Sequence, residues 1–272
     1  MRALPAICLL LMLPALVAQE LPTTGGDAPL RYVEPQEKEF KFYPGGRVGI
    51  SLDVPGAVKI VGWERGSVRM EAEKIVTGME AEAAREFLTK SPIRVRYTDT
   101  TATISVTGAP PQPATLEVNL TIYVPKSRTD VTAGIKRGDF SIDTVNGWVE
   151  ATLAEGRMNI VNPDGYFSGK TSKGDIYVDM WGSQWRGQGF TAATQSGRVD
   201  LRLPEKYSAA LQLDTRNGTI TVDYPPQEVD GEILPPEVVI QKRAQQLKAT
   251  IGDGGAPLRL GTQLGDVSLV KK

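Results

Sequence analysis

The chain contains no histidine in 272 residues, and its single cysteine, Cys8, stands near the N-terminus. Without histidine there is no Ser-His-Asp or Cys-His nucleophile system, and zinc, copper and non-haem iron lose their usual ligand. Hydrolysis would have to run through carboxylates, lysine, arginine or tyrosine. Charge of one sign is lacking too: 31 Lys plus Arg balance 32 Asp plus Glu, for a net of −1. That balance leaves no basic footprint for a nucleic acid. The expectation is a non-enzymatic protein with no cofactor, no metal and no nucleic-acid partner.

Long hydrophobic runs are equally scarce. One follows Met1-Arg2, from Ala3 to Ala18, and gives way to the polar Gln19-Glu20. A positive charge, a short apolar stretch and small residues before a cut are the marks of a secretory signal peptide. Pro5 and Pro14 interrupt the run, and it falls short of the ~20 residues that cross a bilayer as a helix. A signal peptide over 1–18, cleaved after Ala18, is expected, with export to the periplasm, cell surface or medium. Cys8 would be removed with it, leaving a mature chain without cysteine, disulfide or transmembrane anchor. Residues 19–39, with Pro22, Gly25, Gly26, Pro29 and Pro35, read as an extended, poorly ordered leader.

What the chain has in quantity is short alternation of apolar and polar residues. Val48, Ile50 and Leu52, then Val58 and Ile60, then Val68, Met70 and Ala72 each mark a strand with one buried face. The same holds for Ile93 to Tyr97, Ile104 to Val106 and Leu116 to Val124. A helix is predicted over about Met79 to Lys90, with Ala83, Phe87 and Leu88 on one side and Pro92 ending it. A second short helix is predicted near Val239 to Leu247.

Glycine punctuates this pattern. Gly138, Gly147, Gly156, Gly165 and Gly174 fall at a constant step of nine residues. Two residues after them stand Phe140, Val149, Met158, Phe167 and Ile176; four residues after stand Ile142, Ala151, Ile160, Gly169 and Val178. Period-2 alternation puts both sets on one face, and glycine supplies the corner between strands. Similar units begin at Gly56, Gly66, Gly197, Gly218 and Gly265. One such strand cannot bury its apolar face, but a stack of them makes a continuous core. The reading is all-β: a β-solenoid or β-roll in which two nine-residue steps make one coil. An antiparallel β-sandwich is the alternative, since Asn146-Gly147 and Asn217-Gly218 suit hairpin turns.

Gly56-Ala57-Val58-Lys59-Ile60-Val61-Gly62-Trp63-Glu64, followed by Val68-Arg69-Met70-Glu71-Ala72-Glu73-Lys74, resembles the opening of a bacterial "putative adhesin" family of undefined function. The strand end Tyr123-Val124-Pro125 and the serial Gly-x-Val-x-Ile/Val units resemble its body. The resemblance covers roughly Gly46 to Val270. It implies a right-handed β-solenoid (β-helix) over 40–272, exported to the periplasm or cell surface, and carries no catalytic residues. The helical insertion and the Trp-rich segment near Trp181 depart from the bare repeat.

Several motifs match reactive patterns only on paper. Gly187, Gly189 and Ala192 have the spacing of a dinucleotide fingerprint but precede an expected strand, not a helix. Ser268 and Lys271 match a Ser-x-x-Lys nucleophile, yet three residues apart on a strand point opposite ways. Calcium-binding nonapeptides need paired glycines and aspartate in register, which Asp139, Asp164 and Asp175 lack. Asp139, Asp143, Asp175, Asp179 and Asp200 could line an outer face as glycosidase-type carboxylates, or serve as turn residues.

The segment Met180 to Phe190 brings Trp181, Trp185, Arg186 and Phe190 together, a composition suited to sugar or peptide binding or to covering a flank of the stack. Two functions follow: an exported, non-enzymatic adhesin or scaffold acting through an extended β surface, or a protein that binds or cleaves polysaccharide. The expected partner is a surface polysaccharide or another envelope protein.

Overall fold

The computed structural model describes residues 30–224, 228–229, 231–233, 240–242 and 246–272. The expected signal peptide, Cys8 and residues 19–29 of the expected leader lie outside the described residues.

Alternating side chains do what their period requires. Met158–Val161 and Ile176–Asp179 bury Met158, Ile160, Ile176 and Val178 while Asn159 and Tyr177 face outward. Among the described residues the strands form two mixed sheets, of 11 and 12 strands, and neither closes into a barrel. The inward faces of both supply one hydrophobic cluster. Within the first sheet, Phe140–Asp143, Met158–Val161, Ile176–Asp179 and Val199–Leu203 run parallel, side by side. Asp130–Arg137, Asn146–Glu155, Asp164–Lys173 and Gly189–Ser196 do the same in the second. The chain alternates between sheets, so Met158 pairs with Ile176 and Val149 with Phe167, each 18 residues on. Two nine-residue steps complete one circuit. Asn146-Gly147 and Asn217-Gly218 therefore lead into or out of parallel strands and are not hairpin turns.

The corners explain the glycines. Gly138, Gly156, Gly174, Gly197, Gly265 and Gly218 stack in one column, each pressed on the backbone of the one before. At Gly156 φ is +140°, and a Cβ would lie 1.8 Å from the Gly138 carbonyl oxygen. Only glycine satisfies both conditions. Gly147, Gly165 and Gly187 make a second column at the opposite corner. Gly66 belongs to neither, since only the Phe42 carbonyl, 3.8 Å away, approaches its Cβ position. Aspartates after the first column serve the turns: Asp139 Oδ1 accepts the Arg157 N–H at 2.9 Å, and Asp175 Oδ1 the Arg198 N–H at 2.8 Å. Buried Thr194, Thr215 and Thr262 donate to the carbonyls of Gly174, Gly265 and Gly197.

Chain order and stacking order differ at both ends. Pro257–Leu264 and Val267–Lys271 insert between the circuit of Gly189–Ser196 and Val199–Leu203 and that of Ala209–Asn217 and Ile220–Asp223. Likewise Arg47–Leu52 and Val58–Trp63 lie inside Thr101–Val106 and Thr115–Pro125. Antiparallel strands then finish the stack.

Three sequence expectations need correction here. The expected leader runs through residue 39, but Arg31–Lys41 is a full edge strand paired along its length with Ser67–Thr77. Pro35 fits because an edge strand can spare an N–H. The helix spans Ala81–Lys90 and buries Ala84 and Leu88, with Ala83 exposed. Between Val239 and Leu247 the described residues are strand: Ile240–Lys242 pairs with Ile220–Asp223, and Gln246–Ile251 with Ala209–Asn217. Tertiary pairing at an open sheet edge outweighs the helical composition there. No helix among the described residues is long and apolar enough to cross a membrane.

Candidate functional site

The second glycine column leads into an outward-facing, stacked aromatic pair. Gly147 must lack a side chain because its Cβ would meet the Thr129 carbonyl oxygen at 2.1 Å, and Gly165 repeats the contact on Gly147. Each turn releases an outward-facing aromatic one residue later, Trp148 and Tyr166, in register on adjacent parallel strands. Their rings stack with centroids 3.9 Å apart at 22°. Trp148 remains 47% exposed.

Hydrogen bonds fix the pair. The Trp148 N–H donates to Asp130 Oδ1 and its indole N–H to Glu150 Oε1, both at 2.9 Å. One turn on, Asp164 Oδ1 accepts the Gly165 N–H at 2.8 Å while Oδ2 accepts from Asn146 Nδ2 at 3.0 Å. A shallow groove of about 510 Å³ runs past the rings, lined also by Arg47, Arg128, Asp130, Asn146 and Gln188. Arg128 holds a left-handed backbone, φ 54°, and its carbonyl accepts the Gly45 N–H. The next residue, Thr129, is buried and donates its hydroxyl to the Pro125 carbonyl at 2.7 Å. The loop carrying Arg128 is thereby fixed to the sheet.

The four side chains singled out near Trp181 do not form one surface. Phe190 is fully buried and Trp185 is 5% exposed; they pack edge to face at 5.7 Å, and Phe167 stacks on Phe190 at 5.1 Å. The Trp185 ring fills the space where a side chain on Gly187 would stand, so it plugs the stretched turn from inside. Trp181 is 59% exposed but lies under the Lys272 ammonium, 5.5 Å from its centroid, and Arg186 is exposed.

The other candidates disperse as well. Gly187 and Gly189 enter the strand Gly189–Ser196, with no helix start to receive a phosphate. Ser268 donates to Asp200 Oδ1 at 2.5 Å, away from Lys271. Asp143 accepts from Thr144 Oγ1 and Asp179 is ion-paired with Lys272. Among the described residues no three His, Cys, Asp or Glu converge to hold a metal.

In the sequence Trp148 and Tyr166 occupy outward positions, between the glycine and the first inward residue of their units. The available signal was that both follow a glycine of the nine-residue series directly, 18 residues apart, and so had to be neighbours.

No family model matches the chain, and no curated protein does. Solved structures similar to it include a "putative cell adhesion protein" from Clostridium sporogenes, 15% identical with a TM-score of 0.41, covering 88% of this chain and 100% of that one. A "putative adhesin" from Bacteroides fragilis is 11% identical, TM-score 0.28, over 87% and 97% of the two chains. A "putative lipid binding protein" from Parabacteroides distasonis is 9% identical, TM-score 0.24, over 88% and 96%. Two of these three structures carry an adhesin or cell-adhesion name.

Proposed function

We propose that this is an exported, non-enzymatic protein of the cell envelope or surface, built on a right-handed β-solenoid and acting in adhesion or scaffolding through its outer β faces. The observation that carries the reading is the 18-residue circuit, in which parallel strands return to the same sheet in constant register. Such a chain spends its inward side chains on one core and presents two long outward faces. Right-handed winding rests on the general preference of parallel crossovers. Export rests on the Arg2-led apolar run ending at Ala18.

Mass spectrometry of the native protein tests the compartment. The expected result is an N-terminus near Gln19, recovered from periplasm, cell surface or medium. An intact Met1 terminus in the cytosol would overturn the export and, with it, the envelope role. Polysaccharide binding is the second reading, and the Trp148–Tyr166 stack favours it.

A further inference from the structure

The geometry points to the Trp148–Tyr166 shelf as a binding site for an acidic polysaccharide, its sugar rings lying on the exposed indole and its carboxylates reaching Arg47 and Arg128. The assignment deepens the surface-binding reading and rests on it only in taking the outer sheet face as the place where a partner is met.

Three observations carry it. The first is the platform. A tryptophan that is 47% exposed, stacked on a tyrosine, keeps a large apolar face in water. The flat C–H face of a pyranose covers such a ring without desolvating its hydroxyls, which is why aromatic faces beside polar groups suit sugars. The second is the row in which the platform stands. Register places Arg47 beside Asp130 and Tyr166 beside both Trp148 and Gly189. Val149 pairs with Val131, which sets Trp148 next to Asp130. Arg47, Asp130, Trp148, Tyr166 and Gly189 thus follow one another across the sheet at about 4.8 Å per strand. Gly189 is buried against the Tyr166 ring, so Tyr166 ends the accessible part of the row, and the surface from Arg47 to Tyr166 has room for successive sugars. Asn146 and Gln188 line the same groove with amide groups for hydroxyls.

The third observation is charge. Arg47 and Arg128 line the groove, are exposed and make no ion pair among the described residues. Asp130, Glu150 and Asp164 also stand nearby and remain anionic, each accepting a neutral hydrogen bond, from the Trp148 amide, the indole N–H and the Gly165 amide. The two guanidiniums are thus the groups in the groove that can meet a carboxylate. A guanidinium beside an aromatic face fits a planar carboxylate bidentately, as on a uronic acid. Glycine turns and hydrogen bonds hold the shelf in place before any ligand arrives, which lowers the ordering cost of binding.

The test uses the full mature chain and three polymers: polygalacturonate, hyaluronate and neutral dextran. Binding to a carboxylated polymer, weakening with salt and absent for dextran, is expected. Trp148→Ala should lower that affinity by about tenfold or more, since a central tryptophan dominates such contacts, while far-UV spectrum and melting stay close to the parent's. Arg47→Gln with Arg128→Asn leaves the aromatic stack intact and should reduce both affinity and salt dependence. Asparagine is chosen because it tolerates the left-handed backbone. Should Trp148→Ala melt early, the arginine pair decides. Failure of the parent to bind either acidic polymer, equal binding of dextran, or unchanged affinity in the folded variants overturns the site. An N-terminus found near Gln19 at the cell surface would leave the envelope role standing in each of those cases.

Discussion

Ile160 and Asn159 are neighbours in the chain and opposites in the molecule. Ile160 is fully buried between Ile142 and Val178, and Asn159 is exposed. Burying a large aliphatic side chain is worth roughly 1.5–3 kcal/mol, and an unpaired carboxylate in its place costs more. Ile160→Asp should therefore unfold the protein or strip it from the soluble fraction, whereas Asn159→Asp should shift stability by at most about 0.5 kcal/mol. Equal melting of the two would mean that the faces are misassigned. A second contrast tests the corners. Gly156→Ala forces a Cβ to 1.8 Å from the Gly138 carbonyl at φ +140°, and should cost on the order of 3 kcal/mol or more. Gly134, on an open outer face, has nothing nearer than 4.0 Å, so Gly134→Ala should melt like the parent. Both contrasts were legible in the sequence, because period-2 alternation and regular glycines are local signals. Trp185 was not. A buried and an exposed tryptophan in a stretched turn look alike until the space above Gly187 is known.

Among the elements, the helix Ala81–Lys90 packs Ala84 and Leu88 into the core and is tied at its C-terminal end by a buried cation. Lys74 continues the inward row of Val68, Met70 and Ala72, where an aliphatic residue is expected, and its side chain is 3% exposed. Its ammonium donates to the carbonyls of Leu88 at 2.6 Å and Ser91 at 3.3 Å, and pairs with Glu34 at 2.9 Å. It thus joins the helix C-terminus to the edge strand Arg31–Lys41. Lys74→Met keeps the apolar stem but takes the ammonium from the Ser91 carbonyl and from Glu34, while the Leu88 carbonyl keeps the Ser91 N–H, at about 1–3 kcal/mol. Hydrogen exchange should quicken in the helix and in residues 31–41 while the central parallel strands keep their protection. Uniform loss of protection would show instead that the helix is integral to the core. Glu34→Gln should act more weakly, because that side chain is 24% exposed and the amide can still accept a hydrogen bond. The helix was readable to within two residues from composition and Pro92. Its attachment was not, although a lysine on the inward register of a strand was a visible sign that something had to receive its charge.

For the whole molecule, the consequential feature is that the last circuit of the chain is not the last of the stack. Repeats were legible one by one, each as glycine followed by alternation, but nothing local distinguishes a repeat added at the end from one inserted further in. That ordering arises from long-range pairing, which sequence pattern does not encode. Pro257–Leu264 pairs with Gly189–Ser196 on one side and Ala209–Asn217 on the other, and Val267–Lys271 lies likewise between Val199–Leu203 and Ile220–Asp223. Leu258, Leu260, Val267 and Leu269 are all buried, together worth on the order of 10 kcal/mol. A whole domain retains only about 5–15 kcal/mol. Removing residues 257–272 should therefore split the circuit at 209–223 from the body, expose four strand edges, two in each sheet, and yield insoluble protein. If the C-terminal circuit were a simple end cap, the shortened chain would stay soluble and lose only a few degrees of melting temperature. Solubility and thermal melting of the 1–256 chain decide between the two, and a soluble, cooperatively melting product would mean that the inserted order is wrong.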